Sequence, residues 1–78
     1  MARMSFKEWV KAQIENAFCN EFWTRFDEML DEIEDEGYCV EFATEEYIEV
    51  SVDDYDQHYL LYIGQAGRSM YITKVVEA

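Results

Sequence analysis

Two hydrophobic periods divide the chain. From Ser5 to Glu36 there is neither proline nor glycine, and apolar residues recur at helical spacing. Ser5 is a candidate N-cap, with Glu8 three residues on completing a capping box. A single helix over this stretch would be about 48 Å long. Its angular pattern argues against one rod. At 100° per residue from Asp27, Phe6, Trp9, Val10, Ile14, Ala17 and Phe18 centre near roughly 90°, whereas Phe22, Trp23, Phe26, Met29, Leu30 and Ile33 centre near roughly 255°. The apolar stripe changes sides, so a break is expected near Cys19-Asn20 with Asn20 capping the second helix. The rival is an unbroken helix buried on two sides by dimerisation.

Gly37 is placed to stop the second helix as its C′ residue. Beyond it the period shortens to two. Tyr38 to Ala43, Tyr47 to Val52, His58 to Gly64 and Ser69 to Val76 read as strands joined by short polar connections, which implies antiparallel neighbours. The expected fold is α+β in the order ααββββ, two N-terminal helices packed on one face of a four-stranded antiparallel meander sheet, forming a single domain over 1–78. Val40, Phe42, Ile48, Val50, Val52, Tyr59, Leu61, Ile63, Met70 and Ile72 are the expected core parity. The other parity carries Cys39, Glu41, Tyr47, Glu49, Ser51, His58, Leu60, Tyr62, Tyr71 and Thr73. On the last two strands Tyr59 and Tyr71 leave the parity open.

Charge sharpens this picture. The net charge is −12, yet 15 of the 18 acids lie in residues 21–56 against Arg25 alone, while both flanking segments are slightly positive. Asp27, Glu28, Asp31, Glu32, Glu34, Asp35 and Glu36 give a helix about one negative charge per 2 Å of axis, near the ~1.7 Å of duplex DNA. Such a field repels nucleic acid and anionic membrane and attracts basic protein grooves. Half the residues are hydrophobic and 17% aromatic, so the chain is expected to fold rather than behave as an acidic tail. Neither a signal peptide nor a membrane span is legible, which points to a cytosolic location. Cys19 and Cys39 read as two free thiols.

No catalytic signature competes with the charge. His58 is the single histidine, and no phosphate-binding glycine loop, serine elbow or HExxH is present. A pairing of Cys19 or Cys39 with His58 has no support from spacing. Calcium-loop frames from Asp31 and Asp54 fail, the first at Ile33 and Glu36, the second at His58 and Tyr59. The expectation is a protein that is not an enzyme and holds no metal or cofactor.

An acidic run is ordinarily a solvated face. Three features favour a binding surface: the charge density, its continuation through Glu41, Glu45, Glu46, Glu49, Asp53, Asp54 and Asp56, and like-charge i,i+4 pairs that weaken the helix bearing them. Tyr47, Tyr55 and Tyr62 are candidate aromatic anchors that could stack on arginine, with half-buried sheet packing as the plainer account. Small size, strong acidity and a helix-plus-sheet layout, with Asp27 to Glu36 and Asp53 to Asp56 as the acidic segments, resemble the nucleic-acid-mimicking inhibitors of phages and mobile elements, the anti-CRISPR and anti-restriction class. That resemblance implies a partner with a basic nucleic-acid-binding groove, a CRISPR effector, ribonucleoprotein or other defence nuclease, whose target binding is blocked. Direct nucleic-acid or membrane binding is not expected, and monomer or homodimer both stay open. An immunity protein or antitoxin for a basic nuclease, or a helix-mediated dimeric module, are the alternatives.

Overall fold

The computed structural model describes residues 5–52 and 57–78. Helices α1 (Phe6–Phe18) and α2 (Phe26–Asp35) precede strands β1 (Tyr38–Ala43), β2 (Tyr47–Val52), β3 (His58–Ala66) and β4 (Ser69–Glu77). The strands form one sheet in the order β1-β2-β3-β4, each pair antiparallel, so the α+β order ααββββ and the meander are as expected. The Ser5 hydroxyl accepts the Glu8 N–H at 3.2 Å and caps α1. Gly37 adopts φ +99°, a conformation that favours glycine, and its N–H donates to the Glu34 carbonyl at 3.0 Å, closing α2.

The break falls at Cys19, which rules out the unbroken helix, but Asn20 does not cap the second helix. Helix α2 starts at Phe26 with Arg25 in the N-cap position, and the Arg25 side chain makes no capping hydrogen bond. The reason lies in β4. Trp23 and Met70 exchange backbone hydrogen bonds, Trp23 N–H to Met70 at 2.9 Å and Met70 N–H to Trp23 at 2.7 Å, an antiparallel bridge at the sheet edge. In this extended segment neighbouring side chains point apart. Trp23 is buried, while Phe22 remains 65% exposed with its ring 5.6 Å from that of Tyr71. Sequence periodicity placed both on a helical stripe, and the edge bridge is what separates them.

One cluster forms the core: Val10, Ile14 and Phe18 from α1, Trp23 from the connection between the helices, Met29 and Ile33 from α2, and Ile48, Val50, Tyr59, Leu61, Ile72 and Val75 from the strands. Val40, Val52, Ile63 and Met70 pack partly buried against it. Tyr59 and Leu61 are fully buried, which settles the parity left open on β3. Two bulges correct the alternation. Between Val40 and Phe42 the register with β2 shifts, and Phe42, expected inside, is 53% exposed. Opposite Tyr62-Ile63, the pairing steps from Lys74 to Ile72, so parity switches across Thr73 and Val75 joins the core. Strands β3 and β4 also run further than their hydrophobic pattern, leaving Gly67-Arg68 as the turn, with Gly67 at φ +64°.

Candidate partner-binding surfaces

Helix α2 buries Met29 and Ile33 completely, and this fixes the direction of its acids. Asp27, Glu28, Asp31, Glu34 and Asp35, with Glu36 at the C-cap, are all exposed. Glu32 is the exception. It is half-buried and accepts the indole N–H of Trp23 at 2.9 Å, which ties the helix to the preceding loop. Arg25 reaches Asp27 at 3.0 Å, with both side chains about two-thirds exposed. Among the described residues the only other contact of this kind is His58 Nδ1 with Glu49 Oε2, an ion pair only when the imidazole is protonated. Glu28, Asp31, Glu34, Asp35 and Glu36 thus present negative charge with no described cation at ion-pair distance. Asp27 and Glu28 suit the positive end of the helix dipole, whereas no basic residue offsets Glu34 and Asp35 at the negative end.

Acids beyond α2 divide between two places. Glu45 and Glu46 are exposed in the β1–β2 turn, where the Thr44 hydroxyl accepts the N–H groups of Glu46 and Tyr47, both at 3.1 Å. Glu45 and Phe26 line one small cavity together with Ile63, Gln65 and Met70, so this turn lies beside the start of α2 and extends its acidic surface. Glu41 and Glu49 belong elsewhere, on the strand face that carries Tyr47 and Tyr62. Glu41 accepts the Ser51 hydroxyl at 2.7 Å, and Glu49 Oε2 lies 2.8 Å from His58 Nδ1. Ile48 and Val50 enter the core cluster with Met29 and Ile33, and Glu41 and Glu49 belong to the side chains turned out of it. The acids of the block thus fall into two groups, those of α2 with its neighbouring turn and those beside the tyrosines. Asp53, Asp54, Tyr55 and Asp56 lie outside the described residues.

The outer strand face is more aromatic than its sequence suggested. Phe42, displaced outward by the β1 bulge, sits 6.0 Å from Tyr47, and Tyr47 sits 6.1 Å from Tyr62. Lys74 on β4 completes the row with its Nζ 5.0 Å from the centre of the Tyr62 ring. Alternation alone could not show this row, since both Phe42 and Lys74 reach it through bulges. Further along the face, Tyr71 covers Gly64: a Cβ there would meet Thr73 Cγ2 at 2.6 Å and Tyr71 Cζ at 2.8 Å.

Ser51 pairs across the strands with His58, which contacts Glu49, yet the Ser51 hydroxyl proton is directed to Glu41 rather than to an imidazole base. Cys19 carries a free thiol whose pKa is pushed up by burial and then by the nearby Glu15 carboxylate, which disfavours the nucleophilic thiolate. Tyr59 is also pushed up, first by burial and then by Glu77 and Tyr38, and its hydroxyl lies 3.1 Å from the Lys7 carbonyl and 3.0 Å from Gln57 Oε1. Among the described residues no three His, Cys, Asp or Glu side chains gather as metal ligands would, and no helix is long and apolar enough to cross a membrane. No protein-family model, curated protein or solved structure matches this chain.

Proposed function

We propose that this protein is a small acidic inhibitor that occupies a basic nucleic-acid-binding groove of a partner, in the manner of the phage anti-CRISPR and anti-restriction mimics, and so blocks target binding. One observation carries the reading: the solvent side of α2 displays carboxylates at near-phosphate spacing with Arg25 as the sole described cation among them. Both helices would cover one face of the sheet, as their shared core cluster favours. Steering would bring the acids onto lysines and arginines, and carboxylates would then accept guanidinium forks as phosphates do. The setting would be the host cytoplasm, and the role would be non-enzymatic.

The test is displacement of labelled target DNA from purified defence nucleases, CRISPR effectors included, monitored by fluorescence anisotropy. The natural chain should release the DNA, and the combined change Asp31→Lys, Glu34→Lys and Asp35→Lys should weaken this by several orders of magnitude. Glu32 is spared because it holds Trp23. If the triple variant inhibits as well as the natural chain, α2 is not the contact.

A helix-mediated dimer has one observation in its favour. Trp9 is 53% exposed and stacks 6.2 Å from Phe6 on the outer side of α1. Phe18 and Trp23, whose exposure would have strengthened that reading, are buried. Sedimentation across a hundredfold concentration range separates the two.

A further inference from the structure

We infer that the outer face of the sheet is a second docking surface, which takes an arginine-bearing segment of a protein partner. The inference rests on the proposed basic partner but on different residues from the α2 acids. Three rings, Phe42, Tyr47 and Tyr62, cross β1, β2 and β3 at spacings of 6.0 and 6.1 Å. Over the last of them the chain already seats a cation of its own, Lys74 Nζ at 5.0 Å. That contact shows the kind of guest these rings accept, and Phe42, half exposed at the other end of the row, presents a ring to solvent for another.

Charge selects the occupant further. Glu41 and Glu49 share this face, so rings and carboxylates lie within one surface. A guanidinium can stack on the one and hydrogen-bond the other through its planar fork, whereas an ammonium offers each only a point charge. Nucleobases also stack on aromatic rows of this kind, but a phosphate backbone would have to approach Glu41, Glu49 and a chain of net charge −12. A basic protein segment fits the rings and the carboxylates together, and Lys74, seated on Tyr62, leaves the Phe42 and Tyr47 end of the row for it. Since these residues are distinct from the α2 acids, the partner would be held at two places, and the linkage between them would raise affinity without any new contact type.

The experiment tracks the backbone amide and aromatic ring resonances of the full chain by NMR during titration with three probes: a synthetic peptide of alternating Arg and Gly, its Lys counterpart, and single-stranded oligothymidylate. The arginine peptide should shift the rings of Phe42, Tyr47 and Tyr62 and bind at least tenfold tighter there than the lysine peptide. Phe42→Ala should weaken that binding about tenfold, and Tyr47→Leu, which keeps the side chain apolar, should do the same. Phe42 is exposed, so the first variant carries the test if the second unfolds. Asp31→Asn with Asp35→Asn should leave the ring shifts in place. Unmoved rings, equal response to the two peptides, or oligothymidylate shifting the same rings would each overturn the inference. Shifts confined to α2 amides would sink this surface while leaving the proposed inhibitor standing. Ring shifts beside an inhibitor indifferent to α2 charge reversal would sink the opposite one.

Discussion

Helices α1 and α2 are close in length and feed the same core, yet they are built on different terms. Helix α1 has a hydroxyl cap at Ser5 and ends in ordinary helical geometry at Cys19, φ −69°. Helix α2 has no side-chain cap, ends on a C-cap of the same geometry at Glu36, φ −79°, with Gly37 at φ +99° just beyond it, and aligns Asp27 with Asp31, Glu28 with Glu32, and Asp31 with Asp35 at i,i+4. Each such pair costs a few tenths of a kcal/mol. What holds α2 is tertiary: Met29 and Ile33 at full burial, and the Trp23 indole on Glu32. Local stability is thus given up more on α2, where three acidic pairs are displayed, than on α1, where Lys7 and Lys11 form one like-charge pair. That difference supports a role for the acids beyond solubility, since a solubility face could mix in lysines at no cost.

The sharpest way to break the comparison is to remove the packing that compensates α2. Ile33→Ala deletes a fully buried side chain and should cost about 2–5 kcal/mol. Native-state hydrogen exchange should then show α2 amides opening well before those of α1. If Ile14→Ala, at an equally buried site in α1, opens its own helix just as selectively, the two helices depend on the core alike and the contrast is wrong.

End effects come next in size. Gly37→Ala forces a left-handed backbone on a residue with a Cβ and should cost about 1 kcal/mol, although nothing lies within 4 Å of that Cβ to clash. Ser5→Ala should cost α1 a similar amount, about 1 kcal/mol. Arg25→Ser supplies α2 with the cap it lacks and should raise stability by about 0.5–1 kcal/mol. Chemical denaturation of the three variants checks the signs: two losses and one gain. A loss at Arg25→Ser would mean that its exposed contact with Asp27 outweighs a missing cap.

The architecture was legible in the sequence because its strongest signals are local. Ser5, Gly37, the change of period at Tyr38 and the angular jump at Cys19 each act within one or two turns of chain. What was not legible depended on distant partners. Phe22 and Trp23 leave the helical pattern because Met70, far along the chain, offers an edge to bridge. Phe42 and Val75 change sides because each bulge is set by register against a neighbouring strand. The α2 acids other than Glu32 were placed correctly on a solvated helix face. Their apparent continuity with Glu41 and Glu49 was an effect of reading charge along the chain, since strand parity turns those two toward the tyrosines.

Salt gives the most direct measure of what α2 gives up. Its acids are exposed, so their mutual repulsion is screened once the Debye length falls from about 30 Å at 0.01 M to about 3 Å at 1 M. The protein should therefore gain stability with added sodium chloride, on the order of 1 kcal/mol from three like-charge helical pairs plus the dipole mismatch at Glu34 and Asp35. Asp31→Asn with Asp35→Asn removes two of those pairs and should flatten the dependence by about half, whereas Glu8→Gln with Glu15→Gln in α1 should leave it nearly unchanged. Thermal melts of the three proteins across that salt range decide the matter. Equal flattening by both double variants would assign the repulsion to net charge at large, and α2 would lose its claim to be the place where stability is given up for display.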